Sequence, residues 1–187
     1  PATIVHYMSQ ETIIDFLVTK VESLTYQQAE NLIKERELSD FKRELVPIVY
    51  RVLDQLKACD PAGGAGAFAL GLAKEIVRVK EILINLVGDQ VARKELKATT
   101  AQEAIYAMDI DSIAVEMTKL RLWLWTEQDD LLNLADLEYN LMVTNPLLKI
   151  ERSLQQRDQD LKQAREKYYQ QANLEDRYQY KQRFEQI

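Results

Sequence analysis

Glycine, proline, cysteine and histidine are all scarce in this chain: five, four, one and one in 187 residues. A lone cysteine, Cys59, excludes an internal disulfide, so stability has to come from a packed core. No apolar run approaches the roughly 20 residues of a membrane span, and no charged-then-apolar leader opens the sequence, which makes the cytoplasm the simplest compartment. His6 stands alone, and no spacing of His, Cys, Asp and Glu suggests a metal site. Excess positive charge is missing too. The net charge of −6 divides into −8 over residues 1–148 and +2 over 149–187, which is not the pattern of an obvious polyanion binder. With 47% apolar residues and so few helix or strand breakers, the chain is expected to be mostly regular structure around one core, with a helical appendage.

The glycines that are present are not scattered. Four of the five lie between Asp60 and Gly71, in Asp60-Pro61-Ala62-Gly63-Gly64-Ala65-Gly66-Ala67-Phe68-Ala69-Leu70-Gly71. Glycine is costly inside helices and strands, so such a cluster marks a place where backbone passes close to something. Before it, apolar spacing predicts helices over 4–38 and 41–55, separated by Ser39-Asp40, which can cap the second. Leu56 to Cys59 reads as a short strand stopped at Asp60-Pro61. Ala67 to Leu86 reads as a helix with Gly88 as its stop, and 89–98 as a further short helix. Ala104 to Met108 is a second strand, ending in Asp109-Ile110-Asp111. A helix follows from Ser112, its expected cap, to about Trp125-Thr126, and Tyr139 to Thr144 is a third strand ending at Asn145-Pro146.

Strand, glycine turn, helix, strand, acid, helix and strand is the order of a parallel α/β sheet with crossover helices, whose ligands lie at the carboxyl ends of the strands. Asp60 with its glycines, Asp109 and Asn145 each end a different strand, so the fold would gather them on one edge. The glycine turn also opens a helix, whose free N–H groups and positive dipole end face that edge. Gly64-Ala65-Gly66-Ala67-Phe68-Ala69 satisfies the letters of the dinucleotide fingerprint, but Asp60 just ahead of it puts negative charge where a pyrophosphate would lie. An acid there suits an ammonium group, and Asp109 suits ribose hydroxyls. A nucleoside joined to an amino acid fits both.

Asp60 to Phe68 resembles the D-P-A-C-G-S-G-x-F motif of adenine-N6 DNA methyltransferases that use S-adenosyl-L-methionine. Ile105 to Asp111 with Ala114-Val115-Glu116 resembles their I-Y-G-x-D-I-D-x-x-A-V-E, and Lys119 to Leu124 their A-K-L-R-L-W-L, a run of the large type IIG restriction-modification proteins. Pro1 to Met8 is similar to the P-x-x-I-V-x-Y-M opening of the same family. The resemblance implies a partial Rossmann-like methyltransferase sheet of about three strands, with N-terminal helices and a C-terminal helical extension. It divides the chain into a helical segment at 1–55 that packs on the cofactor domain, a cofactor-binding half-domain at 56–148 and a helical extension or insertion at 149–187.

By the same resemblance, Asp60 and the backbone of Ala62 to Gly66, including Gly64, would hold the methionine end of the cofactor, Asp109 its ribose, and Ile110 would pack on its adenine. Glycine at 63 stands for the family's cysteine and alanine at 65 for its serine; both are small enough to keep the turn but weaken contacts to the methionine end. The Tyr-Thr that precedes the opening proline in the family, and helps cover the cofactor, is not in this sequence, which predicts weaker binding. Asn145-Pro146-Leu147-Leu148 invites comparison with the catalytic N-P-P-[YF], in which asparagine and a proline carbonyl hold the adenine amino group of a flipped base. Leu134 to Leu148 is more similar to L-P-N-L-D-Y-x-I-x-x-G-N-S-L-L, a third-strand segment whose asparagine, here Asn145, would face the cofactor adenine. On that reading the catalytic loop, which belongs at the end of a fourth strand, is not in this chain, and the fragment alone does not methylate. DNA would be met through the parent protein, and the remaining part of the methyltransferase would be a partner, with self-association of the fragment as another outcome.

Other features have plainer readings. Asp111 reads as a helix cap, and Trp123 and Trp125, on opposite sides of their helix, as packing residues. Residues 149–187, with Tyr168, Tyr169, Tyr178, Tyr180 and Phe184, read as two helices around Ala172-Asn173 that dock through an aromatic stripe rather than bind nucleic acid. Two other functions fit parts of the pattern. A nucleotide-dependent oxidoreductase is opposed by the acid ahead of the glycines, and a non-enzymatic helical interaction module would leave the glycine turn idle.

Overall fold

A computed structural model describes residues 2–35, 41–88, 93–126 and 134–147. The N-terminal end is helical: α1 (Ala2–Lys20), then a break, then α2 (Tyr26–Glu30) running into a wider π turn at Asn31–Glu35. The expected helix over 4–38 is therefore two helices. Thr25 breaks it with a reciprocal cap, its hydroxyl accepting from the Gln28 N–H while the Gln28 side chain accepts from the Thr25 N–H. Helix α3 (Val46–Asp54) begins after a short 3-10 turn at Arg43–Leu45 rather than at 41, with Pro47 in its first turn, where a missing N–H costs nothing. The expected Ser39-Asp40 cap lies outside the described residues.

Three strands follow with helices between them: β1 (Ala58–Asp60), α4 (Ala67–Val87), α5 (Arg93–Thr99), β2 (Ile105–Asp109), α6 (Ser112–Trp125) and β3 (Leu141–Val143). All are parallel, in the order β1-β2-β3, with Asp60 opposite Ala107 and Asp109 opposite Val143. This is a partial Rossmann-like α/β arrangement, as expected, with each strand within two residues of its predicted start. Gly88 ends α4 in the left-handed conformation, φ 75°, its N–H returned to Ile84 and Asn85 carbonyls. Asp111 caps α6 in place of Ser112, accepting the Ile113 N–H at 2.9 Å. The expected helix at 89–98 is seen as α5; its first residues, like the whole 149–187 extension and its two helices, lie outside the described residues.

Along β2, Ile105 and Ala107 are buried while Tyr106 and Met108 are half-buried, so one side of the sheet takes the main cover. Helices α4 and α6 pack on that side, and α1 and α3 pack in turn on α4. The core runs from Ile13, Ile14 and Leu17 through Val49, Leu53, Ile76 and Leu83 to Ile105, Leu122 and Leu141. Gly71 sits where α1 crosses α4: a Cβ there would stand 2.2 Å from Val5 Cγ1, so a side chain at this position would force Val5 to move. Ion pairs close the helical side, Lys80 to Asp54 at 2.8 Å from α4 to α3, and Arg78 to the buried Glu75 within α4. Residues 1–145 form one compact unit. No helix among the described residues is long and apolar enough to cross a membrane.

Candidate functional site

Pairing of β1 with β2 brings the glycine turn and the acid at the end of β2 to the same carboxyl edge. The turn is built from backbone bonds: Gly63 N–H donates to the Met108 carbonyl at 3.0 Å, and Gly66 N–H to the Gly63 carbonyl at 2.9 Å. Asp60 turns its own carboxylate back onto the loop, accepting the Ala62 N–H at 3.1 Å. Gly64 and Gly66 have φ of 50° and 77°, conformations that suit glycine. They differ in surroundings. A Cβ on Gly64 would meet nothing within 4 Å, so the turn presents an open cradle there, whereas a Cβ on Gly66 would stand 2.7 Å from Thr118.

Asp109 joins the two elements. Its Oδ2 accepts the Gly64 N–H at 2.8 Å across 45 residues of sequence, and its Oδ1 accepts the Asp111 N–H at 3.0 Å. Bonds from Asp111, Gly64 and Ile110 N–H groups, in that order, hold its carboxyl below the usual carboxylate range, against a smaller opposing effect of burial. Each carboxylate oxygen accepts more than one hydrogen bond, so Asp109 keeps capacity for a hydroxyl. The Asp109 carbonyl accepts the Thr144 N–H at 2.9 Å, which sets Asn145 just beyond β3 on the same edge. Ile110 is 71% exposed and leaves an apolar surface beside Asp109. Asp60, Ala62, Gly64, Gly66, Asp109, Ile110 and Asn145 thus all fall on this edge, with Asn145 two strands away from Asp60.

A cavity of about 440 Å³ opens beside it, walled by β1, the start of β2, α1 and the start of α4. Asp60, Pro61, Phe68 and Tyr106 line it, together with Met8 and Phe16, but Gly64, Asp109, Ile110 and Asn145 do not. Cys59, also on its wall, has its thiol pushed up by partial desolvation and by the Asp60 carboxylate. Among the described residues no group of three or more His, Cys, Asp or Glu could hold a metal ion.

Two residues at this edge were not singled out from the sequence. Thr118 and Arg121, both on α6, hydrogen-bond to carbonyls of the glycine turn 54 and 56 residues earlier. Arg121 lies in the Lys119 to Leu124 run, the one available signal, but its spacing there says nothing of what it touches.

No family model and no solved structure matches the chain. In an alignment of 165 positions that covers 79% of the chain, it is 26% identical to a protein of Methanocaldococcus jannaschii that is named, provisionally, a type II restriction enzyme and methyltransferase. The chain spans only 14% of that protein's length. The similarity is a distant one, to a restriction-modification methyltransferase.

Proposed function

We propose that this chain is the S-adenosyl-L-methionine-binding part of a restriction-modification DNA methyltransferase that acts on adenine N6. The observation that carries the reading is the meeting of the Asp60–Gly66 turn with Asp109 through the Gly64 N–H, at the carboxyl edge of a parallel sheet. The residues suit the cofactor chemically. Asp60 offers a carboxylate to the ammonium, the open cradle at Gly64 admits the methionine end, Asp109 takes the ribose and Ile110 the face of the adenine. Asn145 would reach the adenine from the end of β3.

In the parent enzyme the cofactor would supply an activated methyl group to the amino nitrogen of a flipped adenine, and the protein's contribution would be positioning and electrostatic stabilisation. The strand order supports placing that catalytic loop outside this chain. Asn145 follows β3, which pairs with β2 rather than with β1, so Asn145 does not sit beside Asp60. DNA and the remaining part of the methyltransferase are then the partners, and the chain by itself does not turn over.

Calorimetric titration with S-adenosyl-L-methionine tests the reading. Saturable binding is expected, weakened about tenfold or more in Asp109→Ala, the effect of losing a hydrogen bond to a charged group. No heat of binding at millimolar cofactor, in a protein shown to be folded, would overturn it. Quenching of NADH fluorescence by the chain would favour the oxidoreductase instead.

A further inference from the structure

Helix α6 holds the glycine turn from behind. Arg121 Nη1 donates to the Ala65 carbonyl at 2.8 Å, and Thr118 Oγ1 lies 3.0 Å from the Gly64 carbonyl. The buried Thr118 also lies against Gly66 so closely that a Cβ there would collide with it. Two successive carbonyls of the turn are therefore drawn toward α6. In a trans peptide the N–H points opposite to the carbonyl. Fixing the Gly64 carbonyl against α6 thus turns the Ala65 N–H away from it, and fixing the Ala65 carbonyl sets the Gly66 N–H into its bond with the Gly63 carbonyl.

We infer that Thr118 and Arg121 are positioning residues, which hold the Gly64–Gly66 backbone in the orientation that meets the amino-acid end of the ligand. The inference rests on the cofactor reading for the identity of that ligand, but not for the geometry. The two residues contribute unequally. Thr118 has a local alternative, since its hydroxyl is also 3.0 Å from the Ala114 carbonyl one turn back, and its single proton serves one acceptor fully at a time. Arg121 is exposed at the surface, so replacing it leaves the core intact.

The experiment measures two things on the full chain: backbone amide hydrogen exchange without ligand, and calorimetric affinity for S-adenosyl-L-methionine. Arg121→Ala is expected to speed exchange at Gly64 and Gly66, the hydrogen-bonded amides of the turn, about tenfold and to weaken cofactor binding about tenfold, while shifting the melting temperature by no more than about 2 °C. Arg121→Gln, which keeps an N–H donor without the charge, should recover most of both effects. Thr118→Val should give a smaller effect of the same kind, and Thr118→Ser none. Unchanged exchange in Arg121→Ala, or Arg121→Gln no better than Arg121→Ala, would overturn the inference. Should the wild-type chain fail to bind cofactor while Arg121→Ala still loosens the turn, the positioning role stands and the cofactor reading falls. Should the wild type bind with Arg121→Ala altering neither exchange nor affinity, the reverse holds.

Discussion

Gly63 and Ala107 meet across the seam between the glycine turn and β2, where a Cβ on Gly63 would stand 3.0 Å from the Ala107 Cβ. The motifs that these two segments resemble carry cysteine at the first position and glycine at the second. Relative to those motifs the bulk is exchanged: the turn here lacks a side chain and the strand carries a methyl group. One contact links both departures, because a Cβ on each side of the seam would be packed tighter than usual and one neighbour would have to give by a few tenths of an ångström. Gly63→Cys alone should therefore destabilise by about 1–3 kcal/mol through overpacking, and Ala107→Gly alone by about 1 kcal/mol through lost packing and a looser strand. The double substitution should cost less than their sum by at least about 1 kcal/mol. Urea unfolding of the four proteins measures this directly, and simple additivity would show that the two positions are independent. Gly64 and Gly66 differ from Gly63 in that their positive φ, and not only a neighbour, calls for glycine.

Between elements, the decisive tie is Asp109, through which the end of β2 holds the turn that leads from β1 into α4. Its carboxyl titrates below the usual range in the folded chain, first because of the Asp111 N–H and then because of Gly64 and Ile110. A carboxyl lowered on folding lends stability that is complete above its unfolded value, near 4, and is lost as the pH falls through the lower folded value. The melting temperature of the wild type should therefore drop more steeply below about pH 4 than that of Asp109→Asn, whose amide does not titrate. Parallel curves would mean that the bonds to Gly64 and Asp111 do not depend on the charge. This tie was legible in part. Strand ends at Asp60, Asp109 and Asn145 followed from short apolar runs stopped by acids and prolines, and parallel order placed them on one edge. What stayed hidden depends on three-dimensional distance or on competition between adjacent signals. Val21, Leu24, Ala29, Leu32 and Ile33 are all buried, so apolar periodicity runs straight through the break between α1 and α2, and only Thr25 with Gln28 three residues on marked it. At α6, Asp111 and Ser112 both read as caps; the aspartate, with its extended backbone at φ −90° and ψ 113°, takes the role, as one of the two readings has it. The approach of Thr118 and Arg121 to the turn depends on how α6 lies on the sheet, which helical spacing does not encode.

At the scale of the whole molecule, a parallel sheet is stable when both its faces and its edges are covered. Among the described residues α4 and α6 cover the side that carries Ile105, Ala107 and Leu141. Cys59 and Met142 are exposed, Met142 at 45%, and by register each lies beside a half-buried residue of β2, Tyr106 and Met108 respectively. β1 borders the 440 Å³ cavity, whose wall includes Met8, Phe16 and Phe68. Among the described residues β1 has no strand on its other side, and an unpaired edge next to an apolar hollow is a template for further strand pairing. The isolated chain is therefore expected to self-associate, with sedimentation velocity showing a concentration-dependent shift between about 5 and 100 μM, the range in which exposed edges and apolar surface drive association. Cys59→Lys, which puts a charge on the open strand, should move the boundary back toward monomer while leaving the Asp109 bonds and the turn intact. A wild-type chain that is monomeric at the highest concentration would sink the idea. Association that Cys59→Lys leaves unchanged would instead place the contact away from β1, and the exposed side chains of α6, Ile113 and Leu124 among them, would be the next surface to charge.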